Sequence, residues 1–196
     1  MKKAELIIGI GAIALLFSSF YPIEFLSIPR VIFISGLSVI YFYFGFALFN
    51  DIRLRTIFKR SSYEGISSAR IIIAILSGIS LSVLAIGLLF KSQLWPGSGT
   101  MILTGIFGSC LSSIMALFVF SAKASKLFRY LLSRLVVSAF TGLAFYLVPR
   151  ETILELKYKD YPEYVEARKA SWAYPMNEEL MQKAAEERQR MEESRQ

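Results

Sequence analysis

A chain with no histidine, one cysteine (Cys110) and 15 acidic residues against 22 basic ones has few side chains with which to do chemistry. Without histidine it lacks the usual general base, the commonest metal ligand and the physiological pH switch. A single cysteine permits neither an intrachain disulfide nor a cysteine-rich metal cluster. Cys110 falls in the middle of an apolar run, where burial disfavours the thiolate and makes it a packing residue. The acids offer little more. Glu5 opens the first apolar run, Glu24 follows it, and Asp51 and Glu64 lie in a basic loop. No acid falls within the first four apolar runs proper, so none is placed for a proton relay. No glycine loop of the Walker type is present either. The expectation is a non-enzymatic protein that needs no cofactor, no metal and no nucleic acid.

The elements that would position these residues belong to a membrane. Hydrophobic residues make up 55% of the chain and charged ones 19%, against roughly 45–50% and 25% in soluble domains. Five runs reach the roughly 17–25 residues that cross a hydrocarbon core. They cover about Leu6–Pro22, Val31–Phe49, Ile71–Phe90, Thr100–Ser121 and Leu131–Val148. Arg134 lies one turn inside the fifth, where a long side chain can snorkel to the headgroups. The first run follows Met1-Lys2-Lys3 but ends without a small-residue cleavage site, so it reads as a retained anchor and not a signal peptide.

Basic residues set the orientation. Lys2, Lys3, Arg53, Arg55, Lys59, Arg60, Arg70, Lys123, Lys126, Arg129 and Arg134 fall on one side, and only Arg30 and Lys91 on the other. That asymmetry places the N-terminus in the cytoplasm of a cell with an inner membrane, and five crossings put the C-terminal tail in the periplasm. Residues 1–149 carry 13 basic and 4 acidic residues, and residues 150–196 carry 9 and 11. The fold expected is therefore all-α and polytopic: a five-helix transmembrane domain over 1–149 and a soluble helical tail over 150–196. Within the tail, Asp160 and Glu163 have capping-box spacing with Pro162 in the first turn, starting a helix to about Trp172. Asn177 caps a second one over about Glu178–Ser194.

Internal repetition supplies a further expectation. Ala12–Phe17 recurs as Ala85–Phe90, Ile34–Leu37 parallels Leu103–Ile106, and Ala47–Phe49 parallels Ala116–Phe118. These matches describe a tandem hairpin plus one helix, in parallel repeats. Small residues recur every fourth position as Ala74, Gly78 and Ser82 on the third helix and as Gly105, Ser109 and Ser113 on the fourth, with Ser138 and Gly142 on the fifth. Such stripes let helix backbones approach closely in lipid. The sharper alternative is a polar path lined by Ser77, Ser80, Ser109, Ser112 and Ser113.

The turn between the third and fourth runs is the one local signature: Phe90, Lys91, Trp95, Pro96, Gly97 and Gly99 set a cation, an aromatic ring and a tight reversal at headgroup depth. It resembles the Phe-Lys-x-x-His-Trp-Pro-Gly-Ala-Gly turn of Bacteroidetes inner-membrane proteins, best known in the GldL/PorL family of gliding-motility and type IX secretion motors. The likeness covers about residues 82–118, with Gly105 also matching. Leu94 stands where that family has histidine, Ser98 where it has alanine, and Ser109 where it has the glutamate implied in proton-driven rotation. The resemblance implies kinship of one hairpin and bacterial origin without motor function. The end of the tail, Tyr164 to Pro175, resembles the last turn of small membrane methyltransferases, whose Arg-His-Pro motif a chain without histidine cannot supply.

The leading functional expectation is a scaffold or accessory subunit of an inner-membrane complex, with the bilayer and a second copy or a complex subunit as partners. The alternative is a small-solute transporter or channel using the serine-rich third and fourth helices. A lipid-headgroup contact through Arg53, Arg55, Lys59 and Arg60 is a third reading.

Overall fold

The computed structural model describes residues 1–21, 23–119 and 126–194. Pro22, Ser121 and Lys123, and the side chains of Glu24 and Lys126, lie outside that description. Five helices are long and apolar enough to cross a membrane: α1 (Lys2–Phe17), α2 (Ser27–Phe49), α3 (Ser68–Ser92), α4 (Ser98–Val119) and α5 (Lys126–Leu147). Three shorter helices follow, α6 (Arg150–Lys157), α7 (Pro162–Ala173) and α8 (Glu178–Glu193), and no strand occurs among the described residues. The five long helices run up and down. The N-terminus, the loop between α2 and α3 and the start of α5 thus share one side (the loop side), and the tail lies on the other.

The α3 helix is the centre of the bundle and touches α1, α2, α4 and α5. Over half of its membrane-length window (56%) is buried in protein, against 22–33% for the other four. Those four turn Phe17, Phe42, Phe107, Phe118 and Phe140 outward, a surface that only lipid or another membrane protein could cover.

Small residues decide how closely α3 is approached. A Cβ added at Gly78 would stand 2.4 Å from the Tyr41 carbonyl oxygen and 3.2 Å from Gly45 Cα, so α2 and α3 meet backbone to backbone. One turn away the Ser38 and Ser82 hydroxyls share a 2.8 Å hydrogen bond. On the opposite face Gly87 lies against Ile102, Gly105 against Leu84 and Gly108 against the Ser80 side chain. Ala74, Gly78 and Ser82 are all buried. On α4, Gly105 and Ser109 are buried, while Ser113 is half-buried and donates to the Ser109 carbonyl at 2.7 Å. The first hairpin does not repeat this contact: Gly36, the counterpart of Gly105 in the internal repeat, has open space where a Cβ would be.

Several element boundaries differ from those the sequence suggests. The α2 helix starts at Ser27 and α3 continues to Ser92, which brings Arg30 and Lys91 inside the long helices. In the tail, α6 forms where no helix was expected, because Ile153 and Leu154 bury completely, Leu154 among Tyr164, Val165 and Met191, and the helix packs on the Ser18–Phe20 turn. The Asp160 capping box does not form. Pro162 takes the first helical position, so Tyr161 is the cap residue, and its side chain does not cap the helix. Asn177 does cap α8, accepting from the Leu180 amide at 3.2 Å.

Since the atom facing Gly78 belongs to backbone, Gly78→Leu has no soft neighbour to displace. It should destabilise the bundle by about 2–3 kcal/mol, whereas Gly9→Ala, facing open space, should be neutral or stabilising. Thermal unfolding of the two variants in one detergent checks the contrast.

Candidate functional site

The strongest concentration of polar chemistry lies inside the bundle, on the loop side, around Glu5. Its carboxylate is buried in the first turn of α1. One oxygen accepts from the Tyr41 hydroxyl at 2.6 Å and from Arg134 Nε at 2.8 Å. The other accepts from the Tyr130 hydroxyl at 2.7 Å and from Arg134 Nη2 at 3.1 Å. The guanidinium therefore grips the carboxylate with two parallel bonds, the strong geometry for this pair. Tyr41 lies on α2, and Tyr130 and Arg134 on α5, so one acid ties three helices together. The Arg134 guanidinium also stands 4.7 Å from the Tyr130 ring centre. Outside this cluster Lys2 pairs with Asp51 at 2.7 Å.

The arrangement corrects two expectations. Glu5 is an acid within the membrane-length helices, and Arg134 turns inward to it instead of snorkelling. Tyr41 is eight residues short of the end of α2 and Arg134 eight past the start of α5, about 12 Å of helix in each case. At that depth an unpaired carboxylate would be very costly, which is why every acceptor position is filled.

Beyond the clasp lies a cavity of about 200 Å³ whose lining comes from α1, α2, α3 and α5. Its walls are apolar (Leu6, Ile13, Leu37, Leu81, Leu88 and Val137 among them), while Glu5, Tyr41 and Arg134 form one end. None of Ser77, Ser80, Ser109, Ser112 or Ser113 lines it. Ser80 instead stands against Gly108 in the α3–α4 contact and bonds its own helix at the Leu76 carbonyl, as Ser113 does at the Ser109 carbonyl, while Ser77, Ser109 and Ser112 are buried.

On the tail side a second buried cation closes α1. Arg30 is almost fully buried and donates Nε to the Leu15 carbonyl at 2.8 Å and Nη2 to the Ser18 hydroxyl at 2.8 Å. It thus covers carbonyls that the end of α1 leaves without intrahelical partners. Its Nη1 has no hydrogen-bond partner among the described residues. The α6 helix packs on the same 3-10 turn, Ser18–Phe20, that Arg30 grips.

The interfacial turn supports the tail. Gly97 takes a left-handed φ of 80° and Leu94 one of 60°. Phe90 and Trp95 meet edge to face at 5.0 Å, while Pro96 is exposed and Gly99 half-buried. Lys91 is buried, not an exposed anchor. Leu94 packs against the tail cluster of Leu154, Tyr164, Val165 and Met191. Arg150 stacks 4.4 Å from the Trp172 ring centre. Burial, with the nearby charges of Arg30 and Arg188, pushes the Lys157 ammonium down to about 8.

Other singled-out residues are dispersed. Arg53, Arg55, Lys59 and Arg60 are all exposed in the loop between α2 and α3, around a fully exposed Phe58. Cys110 is exposed on the outer face of α4 and is not the packing residue its apolar setting suggests. No cluster of metal-ligating side chains occurs among the described residues. The signal for the Glu5 clasp was present as opposite charges near the ends of two apolar runs. Hydropathy windows trimmed one and treated the other singly.

Comparison with protein-family models, curated proteins and solved structures yields no match for this chain.

Removing one partner of a buried pair leaves the other charge uncompensated. Glu5→Gln should therefore destabilise the bundle by about 3 kcal/mol, and adding Arg134→Gln should recover at least half of that loss. A double-mutant cycle from unfolding in detergent measures this. For Lys157 the sign runs the other way. Its pKa when docked is about 8 and when released about 10.4. Docking therefore carries a penalty below pH 8 that disappears as pH rises through this window. Lys157→Met should dock the tail more tightly at pH 7, and its advantage should vanish by about pH 10, read as protection of α7 from proteolysis.

Proposed function

We propose that this chain is a non-enzymatic integral membrane protein, a scaffold or accessory subunit of a complex in a bacterial inner membrane. The N-terminus is cytoplasmic and the tail periplasmic. The observation that carries this reading is the saturation of Glu5: each carboxylate oxygen already accepts two hydrogen bonds. An acid that relays protons or binds a substrate needs an open coordination position, and this one is spent on holding α1, α2 and α5 together.

The surface fits an assembly role. On α4, Leu103, Phe107, Leu111, Ile114 and Phe118 form a continuous exposed stripe, at the spacing of one helix face. The other face of α4 is committed to α3. A tail folded down onto the interfacial turn offers a second, charged surface on the opposite side from the basic loop. That loop adds electrostatic attraction to anionic headgroups of about 1 kcal/mol per basic residue. A solute path between α3 and α4 has less support, since Leu84 fills the space at Gly105 and Ser109 is fully buried.

The exposed Cys110 offers a probe beside the stripe. Oxidative crosslinking through it in native membranes, with a photoreactive residue at position 107 in parallel, should trap a second copy or a partner subunit. A chain that stays uncrosslinked in both experiments and is purified alone would rule this reading out.

A further inference from the structure

The cavity beside α1 is a slot. It follows α1 from Glu5 to Leu16, about 16 Å along the helix, while its opposite wall runs from Arg134 to Thr141 on α5. Leu37, Leu81, Leu84 and Leu88 form its floor. The flanking residues Ile7, Ile10, Val136 and Val137 are exposed on the outer surface, so the mouth between α1 and α5 opens at the level of the hydrocarbon. Nothing on the floor or long walls offers a buried charge, which makes the slot unsuited to water or a polar solute. Its one polar end is the Glu5–Arg134 pair, where Arg134 keeps 21% of its side chain uncovered.

We propose that this slot binds one acyl chain of a membrane lipid, entering sideways between α1 and α5, with the polar end of that chain beside Arg134. Shape and chemistry agree on this occupant. The slot is narrow, elongated along the helix axes, apolar along its length and polar at one end, as an acyl chain with its ester is. The α1 helix is suited to form a wall because Gly9 lines the slot and leaves open space where a side chain would project.

That open space supplies the test, because a side chain at position 9 enters the slot without displacing a neighbour. The full chain is reconstituted into phosphatidylethanolamine–phosphatidylglycerol vesicles doped with a phosphatidylethanolamine that carries a photoreactive diazirine midway along one acyl chain. After illumination, adducts are mapped by peptide mass spectrometry. Leu37 and Ser138 in the slot should be labelled at least fivefold more than Phe107 and Phe118, which sample ordinary surrounding lipid. Gly9→Phe should reduce slot labelling at least fivefold and leave the α4 labelling unchanged, while Gly9→Ala retains it. Ser138→Phe blocks the slot from the α5 side and should act in the same way, which keeps the test sound if one variant folds poorly. Slot labelling no greater than that of α4, or labelling indifferent to both blocking residues, would overturn the proposal. So would crosslinks from the slot to a second copy of the chain.

Discussion

Everything in the bundle has to accommodate one buried negative charge. In lipid the hydrophobic effect no longer drives helices together, so close backbone packing and polar bonds must. This chain divides the two devices between different helices. The α2, α3 and α4 helices are joined by small residues, with Gly45 on Gly78 and Leu84 on Gly105. The α1 helix has no such seam with α3. It is secured by what its ends can bond: the Glu5 carboxylate to α2 and α5 on the loop side, and the Leu15 carbonyl and Ser18 to Arg30 on the tail side. Tyr130 and Arg134 in turn fix α5.

Fastening a helix at its ends has a structural consequence in its middle. A glycine-rich segment such as Gly9-Ile10-Gly11 has little side-chain volume to fill the gap behind it. The polar bonds at Glu5 and Arg30 leave α1 no freedom to move inward and close that gap. Gly11 is filled by the Phe33 ring, where an added Cβ would stand 2.5 Å away, but the space at Gly9 is not. The slot is therefore a product of the same bonds that hold the bundle together.

The sequence made the coarse architecture readable because the bilayer imposes a length and a hydrophobicity that few other contexts share. All five membrane-length helices follow from composition, as does the Asn177 cap. What escaped was pairing between distant residues. Arg30 and Lys91 sat just outside the hydropathy windows, and the structure draws both inside because protein, not solvent, covers them. Asp160 had capping-box spacing, but the proline one position nearer the helix chose Tyr161 as the cap. The α6 helix was invisible because its two decisive residues, Ile153 and Leu154, bury only against a surface made elsewhere. Cys110 was misjudged for the reverse reason: an apolar run says nothing about which side of a helix faces the bilayer.

The interfacial turn contributes to the fold through packing and not through charge. Leu94 joins the apolar cluster that seats α6, α7 and α8, and Ser109 is buried. The acid that remains within the bundle is on α1, locked to an arginine. A charge free to exchange protons can drive movement, whereas one that accepts four hydrogen bonds resists it. The polar bonds of this bundle thus hold its helices to one another.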